Sequence, residues 1–310
     1  MFGLGMLQTF TLIGVPLFLL LTGYLNINKI VPDKKYFKGI WRVIIAYVVF
    51  SILTIVFRKY YLGESRSTIK WILSIFSFQA IPYSWYIEMW IGLFLLTPFL
   101  NKLWHACDDK RHRQILIAVL FLTAALPDFT NRYGLHLLPG YWVNATYPLL
   151  CFFLGTYIRT YQPSFSGKKL GTVIICLCLI NPIISNILAY GKPMLHLAGG
   201  PGGVVSIPLA VCTFLLLYKR GCVNKPLKRA VIQISIMSLN MYLAAYLSDQ
   251  LLYPIWKENI GVSQAQLGLW YPAIILSLVL CNFILAWLYD KGATALKATY
   301  KAVSTPQPTA

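Results

Sequence analysis

Apolar runs of bilayer length recur along this 310-residue chain, at 4–25, 40–60, 84–101, 114–126, 142–160, 170–190, 204–218, 230–250 and 267–289. A hydrocarbon core of about 30 Å takes about 20 apolar residues in helix. Inside it the backbone must satisfy its own hydrogen bonds. A chain with nine such runs folds as an all-α, polytopic transmembrane helix bundle; 114–126 and 204–218 are its shortest spans. Composition agrees, with 58% hydrophobic and 12% charged residues, where a soluble domain carries about 25% charged. The stretch 71–81 is too short to cross and is predicted to lie at the interface or re-enter, ended by Pro82.

The net charge of +18 would suggest nucleic acid in a soluble protein. Here the bases sit in short loops between apolar runs, which is how cytoplasmic loops are marked, and nucleic acid is excluded as a partner. One alternating set of loops holds twenty Lys and Arg, including Lys34, Lys35, Lys38 and Arg42; the opposite set holds seven. That places the richer set and the C-terminus in the cytoplasm. With nine spans, Met1 then lies outside, at the head of an apolar run with no basic flank. The expectation is one further helix upstream, ten in all. The chain reads as a single domain over 1–301 with a disordered polar tail at 302–310. The seven cysteines imply no disulfide framework.

Few residues stand out chemically. Glu88 is the acidic residue well inside a predicted span, and intramembrane carboxylates are functional or paired by default. His105 and His112 fall in a charged loop with Asp108 and Asp109, a poor metal site. His136 and His196 fall in outer loops beside prolines and glycines. Gly199-Gly-Pro-Gly-Gly203 lacks the Lys and Ser/Thr of a phosphate loop and reads as a turn. Outer aromatics such as Trp85, Tyr86, Tyr253, Trp256, Trp270 and Tyr271 fit an interface belt.

Four segments carry a family likeness. Gly14-Val-Pro-Leu-Phe-Leu-Leu-Leu-Thr-Gly-Tyr-Leu25 resembles the "VPLFFFISGYL" helix of the membrane acyltransferase 3 family, which contains polysaccharide O-acetyltransferases. Tyr36-Phe-Lys-Gly-Ile-Trp-Arg-Val-Ile-Ile-Ala-Tyr47 is similar to that family's basic lead-in to the next helix. Tyr83-Ser-Trp-Tyr-Ile-Glu-Met-Trp-Ile-Gly-Leu-Phe-Leu-Leu-Thr-Pro98 resembles its "WYL…ltP" helix. Ser238-Leu-Asn-Met-Tyr-Leu243 resembles its late "S-F-G-I-Y-L-I-H" helix. The chain departs from the pattern in Gly39, which stands for the first Arg of the basic pair, and in Ala245, which stands for the late His. The family's catalytic His belongs to a helix before Leu4.

The resemblance implies transfer of an acetyl group from cytoplasmic acetyl-CoA to a hydroxyl of a cell-surface glycan or its lipid-linked precursor, at a bacterial inner membrane, without a metal. It implies Lys38 and Arg42 as contacts to the donor, and Trp85, Tyr86 and Tyr242 as contacts to the acceptor. Glu88 is the acid–base candidate present in this chain. The rival readings are a lipid-linked sugar flippase without covalent chemistry and an inactive truncated remnant. The orientation is testable in a background without native cysteines. A cysteine at Gly200 should react with an impermeant reagent added outside, and one at Asn224 only after permeabilisation; reversed labelling would invert the topology.

Overall fold

The computed structural model describes residues 2–132, 140–188, 200–221, 224–260 and 264–304. Among them every regular element is helical: α1 (Phe2–Thr11), α2 (Gly14–Asn26), α3 (Lys34–Tyr60), α4 (Thr68–Phe76), α5 (Trp85–Ala106), α6 (Lys110–Arg132), α7 (Val143–Tyr161), α8 (Gly167–Leu188), α9 (Ser206–Leu217), α10 (Lys225–Ile260) and α11 (Gln264–Ser304). Six helical stretches are long and apolar enough to cross a membrane, the first running across the α1–α2 junction. The expected span at 204–218 is a 12-residue helix, which at 1.5 Å per residue is about 18 Å and too short to cross alone. Residues 189 and 190 of the expected 170–190 span, His136, His196 and 305–310 lie outside the described residues. Helix α11 continues to Ser304.

Helix α3 turns polar groups inward and aliphatic ones outward. On α3 the buried face is Val43, Ala46, Tyr47, Phe50, Ser51, Thr54 and Arg58, a 3–4 residue spacing that defines one side of a helix. Three of its inward groups are hydroxyls and one is a guanidinium. The exposed face carries Ile45, Ile52, Leu53 and Val56. Apolar side chains outside and polar ones inside are what lipid as solvent selects. Prolines lie within α5, α6, α7, α8, α10 and α11, as membrane helices tolerate.

The chain divides into two compact units. The first holds residues 1–37 and 89–221, and its tightest packing is α2 on α7. A Cβ added to Gly23 would overlap the Phe152 carbonyl, and one added to Gly155 would overlap the Leu20 carbonyl. The absence of both side chains lets the two backbones touch, the small-residue device of membrane helix packing. Thr156 Oγ1 donates to the Phe152 carbonyl at 2.9 Å and lies 3.4 Å from that of Gly23. Around this contact, Trp104 of α5 stacks on Phe153 and donates to Thr160 at 3.2 Å. The Asn101 amide donates to the carbonyls of Asn26 and Lys29 at 2.6 and 2.9 Å, tying α5 to the turn that ends α2.

The second unit holds residues 38–88 and 222–310, with α10 packed on α11. The predicted interfacial stretch is the nine-residue helix α4, which spans about 14 Å. It stops at Phe76, before Pro82, because Phe78 takes a left-handed conformation at φ 53°. The Tyr47 ring packs on Phe78 at 5.0 Å and its hydroxyl donates to the Ile75 carbonyl at 2.7 Å. The Ser84 hydroxyl closes the turn on the Phe78 carbonyl.

The Gly155 contact is testable. Gly155→Leu should cost at least the ~1–3 kcal/mol of an overpacked core, because a backbone rather than a side chain must yield. The measurement is thermal unfolding in detergent, and the half-buried Gly171→Leu, with open space around it, should unfold near the wild-type temperature.

Candidate functional site

In the second unit the chain must neutralise Arg58, a buried guanidinium near the end of α3 whose side chain is 7% exposed. Its Nε and Nη2 each donate to Glu64 at 2.8 Å, a bidentate pair, and Nη1 donates to the Ala80 carbonyl at 3.1 Å. Arg66 reaches the same carboxylate at 3.2 Å. Both guanidiniums lie over the Trp71 ring, 5.2 and 5.0 Å from its centroid. Hydrogen bonds from Arg58 hold the Glu64 carboxyl below its usual range, against the opposing effect of its partial burial, with Arg66 adding to the pull.

These groups wall a cavity of about 410 Å³ lined by Arg58, Arg66, Ser77, Phe78, Gln79, Pro82, Trp85 and Glu88. Glu88 sits in the first turn of α5, where the helix dipole favours an anion. It is at the end of its helix rather than well inside the span, which removes the cost of holding a carboxylate in lipid. It lines the cavity, and the ion pairs among the described residues do not include it, so its carboxylate is open to hydrogen bonds from a hydroxyl. Trp85, 44% exposed, presents an indole at the same mouth. Sequence reasoning named Trp85 and Glu88, and the fold brings them together.

Tyr86 and Tyr242 also meet, ring edge to ring face at 5.5 Å. The Tyr242 hydroxyl donates to the Tyr83 carbonyl, fixing the turn that leads into α5. The Tyr83 hydroxyl in turn donates to Asp249 Oδ2 at 2.9 Å. Asp249 was missed in the sequence because the apolar run was taken to stop at residue 250. The helix runs on to Ile260, leaving Asp249 a full three turns inside it.

Lys38 and Arg42 are elsewhere. Both are exposed, one turn apart on α3 and therefore on one face. Sixteen residues separate Arg42 from Arg58 along the continuous α3, about 24 Å of rise. The donor-contact pair and the Glu88 cavity therefore lie toward opposite ends of one helix.

The family model described as an acyltransferase domain matches residues 1–289. The chain belongs to the acyltransferase 3 family. No curated protein and no solved structure matches it. It is a multi-pass membrane protein of an acyltransferase family, and the family's motifs fall on the features above. The Thr22-Gly23-Tyr24 motif supplies the glycine of the α2–α7 contact. The motif beginning at Tyr83 supplies Ser84 of the turn, Trp85 and Glu88 of the cavity, and Tyr86 against Tyr242.

The ion pair predicts a pH signature. A carboxyl whose pKa is lowered on folding stabilises the fold above its unfolded value of about 4.3, and that stability is lost as pH falls through the folded value. The gap in unfolding temperature between wild type and Glu64→Gln should be steady at neutral pH and close below about pH 4. Arg58→Ala should cost about 3 kcal/mol at neutral pH, since it removes both bonds of the bidentate pair and the donor to the Ala80 carbonyl, leaving Glu64 to Arg66 alone.

Proposed function

We propose that this acyltransferase moves an acetyl group from cytoplasmic acetyl-CoA to a hydroxyl of a cell-surface polysaccharide or its lipid-linked precursor. Its place is a bacterial inner membrane, with the C-terminus in the cytoplasm. The observation that carries this reading is the division of α3: exposed Lys38 and Arg42 toward one end, and a polar, aromatic cavity at the other. The cations match the phosphates of a CoA ester. The cavity, with a carboxylate, two guanidiniums, an amide and an indole, matches a polyhydroxylated acceptor.

In the reaction the acceptor hydroxyl gives up its proton as its oxygen attacks the thioester carbonyl. The CoA thiolate leaves and takes up a proton, and an ester remains on the sugar. Glu88 is the group in this cavity that can receive the hydroxyl proton. Lys38 and Arg42 hold the phosphates, and the flexible pantetheine arm carries the thioester toward the acceptor. Trp85, Tyr86 and Tyr242 position the sugar.

Membranes containing the protein, supplied with acetyl-labelled acetyl-CoA, should transfer label to the glycan fraction. Glycan translocated without label would favour a flippase. Arg42→Ala should raise KM for acetyl-CoA about tenfold, the loss of one charge-assisted contact, while Lys34→Ala changes little. Glu88→Gln should lower kcat by roughly 10²–10⁴, the worth of a general base. An undiminished kcat would move the base elsewhere.

A further inference from the structure

A second cavity in the same unit, of about 340 Å³, is lined by Tyr83, Asp249, Gln250, Tyr253, Tyr271, Ile274, Ile275 and Leu278. It shares the Pro82–Tyr83 step with the first: Pro82 borders one cavity and Tyr83 the other. Its volume lies at the small end of ligand pockets, about 300–1,000 Å³.

Asp249 is the unusual group. It is half-buried well inside α10, where an ionisable residue needs a partner or a role. The ion pairs among the described residues do not include it. Tyr83 donates to Oδ2, which leaves Oδ1 as acceptor capacity toward the cavity. An ionised carboxylate only accepts, whereas the phenols of Tyr253 and Tyr271 and the amide of Gln250 both donate and accept. That inventory suits a ligand with several hydroxyls. The aromatic faces, extended by Trp256 and Trp270 with ring centroids 6.2 Å apart, suit the C–H face of a sugar ring. Trp256 is held in place by its hydrogen bond to Ser277 at 2.9 Å.

We infer that the Asp249 cavity is a sugar-binding subsite for an uncharged ring of the acceptor, and that Asp249 sets its charge selectivity. Hydroxyl hydrogens bind to Oδ1. An anionic ring, such as a uronic acid, is repelled by a fixed carboxylate in a region where water screens poorly. The inference rests on the acceptor being a glycan, and its test does not depend on acetyl transfer.

The experiment titrates the full chain in detergent with methyl glycosides of glucose, galactose, mannose, rhamnose and N-acetylglucosamine, and with glucuronate, galacturonate and glucosamine, following tryptophan fluorescence. At least one uncharged glycoside should bind, with both uronates at least tenfold weaker. Asp249→Asn keeps an oxygen to accept from Tyr83, so a purely structural tie survives. It should nonetheless weaken the bound glycoside about tenfold, the worth of one charge-assisted hydrogen bond, and narrow the uronate discrimination. Asp249→Glu should restore part of both. Binding by no uncharged glycoside, equal binding of the uronates, binding of glucosamine alone, or an Asp249→Asn profile identical to wild type would each overturn the assignment. Failure of acetyl-CoA labelling with the sugar profile intact would overturn the proposed reaction and leave the subsite standing.

Discussion

Arg58 carries a charge it cannot shed, on a helix whose outer face is aliphatic. Everything at that end of the second unit follows from satisfying it. The segment after α3 folds back so that Glu64 meets the guanidinium with both oxygens. Helix α4 lies where Trp71 can sit beneath Arg58 and Arg66 together. The chain then turns through Phe78 so that the Ala80 carbonyl points at the remaining donor. The first turn of α5, with Trp85 and Glu88, begins directly after this turn. The polar cavity is thus the space left around one neutralised charge, a buried guanidinium that is costly to leave without its partners.

Helix α3 also separates two groups of charge. Exposed Lys38 and Arg42 lie toward one end; the buried Arg58, sixteen positions and about 24 Å of rise from Arg42, walls the cavity at the other. The Tyr83 step works on a smaller scale, dividing that end of the second unit into a charged compartment around Glu88 and an aromatic one around Asp249.

Much of the architecture was legible because lipid makes hydropathy almost decisive: among the described residues the nine apolar runs fall on helix, and six helical stretches are long and apolar enough to cross a membrane. Boundaries were less legible, for identifiable reasons. Helix α4 ends early because Phe78 adopts a conformation that propensity assigns to glycine. Helix α10 outlasts its apolar run, since a helix paired along its length with α11 can carry Asp249 and Gln250 inside it. Trp85 and Glu88 could be named together because they are three residues apart on one helix. The Arg58–Glu64 pair and the Tyr83–Asp249 bond join residues through a turn and across 166 positions, which no spacing rule encodes. An acidic residue near the end of an apolar run, followed by Tyr253 and Trp256 at helical spacing, was the available signal for Asp249.

The α2–α7 contact also limits how this sequence can change. Each of Gly23 and Gly155 meets main-chain atoms of the opposing helix, not a side chain. A larger residue at either position cannot be accommodated by trimming its neighbour, since there is no neighbouring side chain to trim. The two glycines therefore form a mutational dead end, closed to the stepwise compensation by which most packed cores drift.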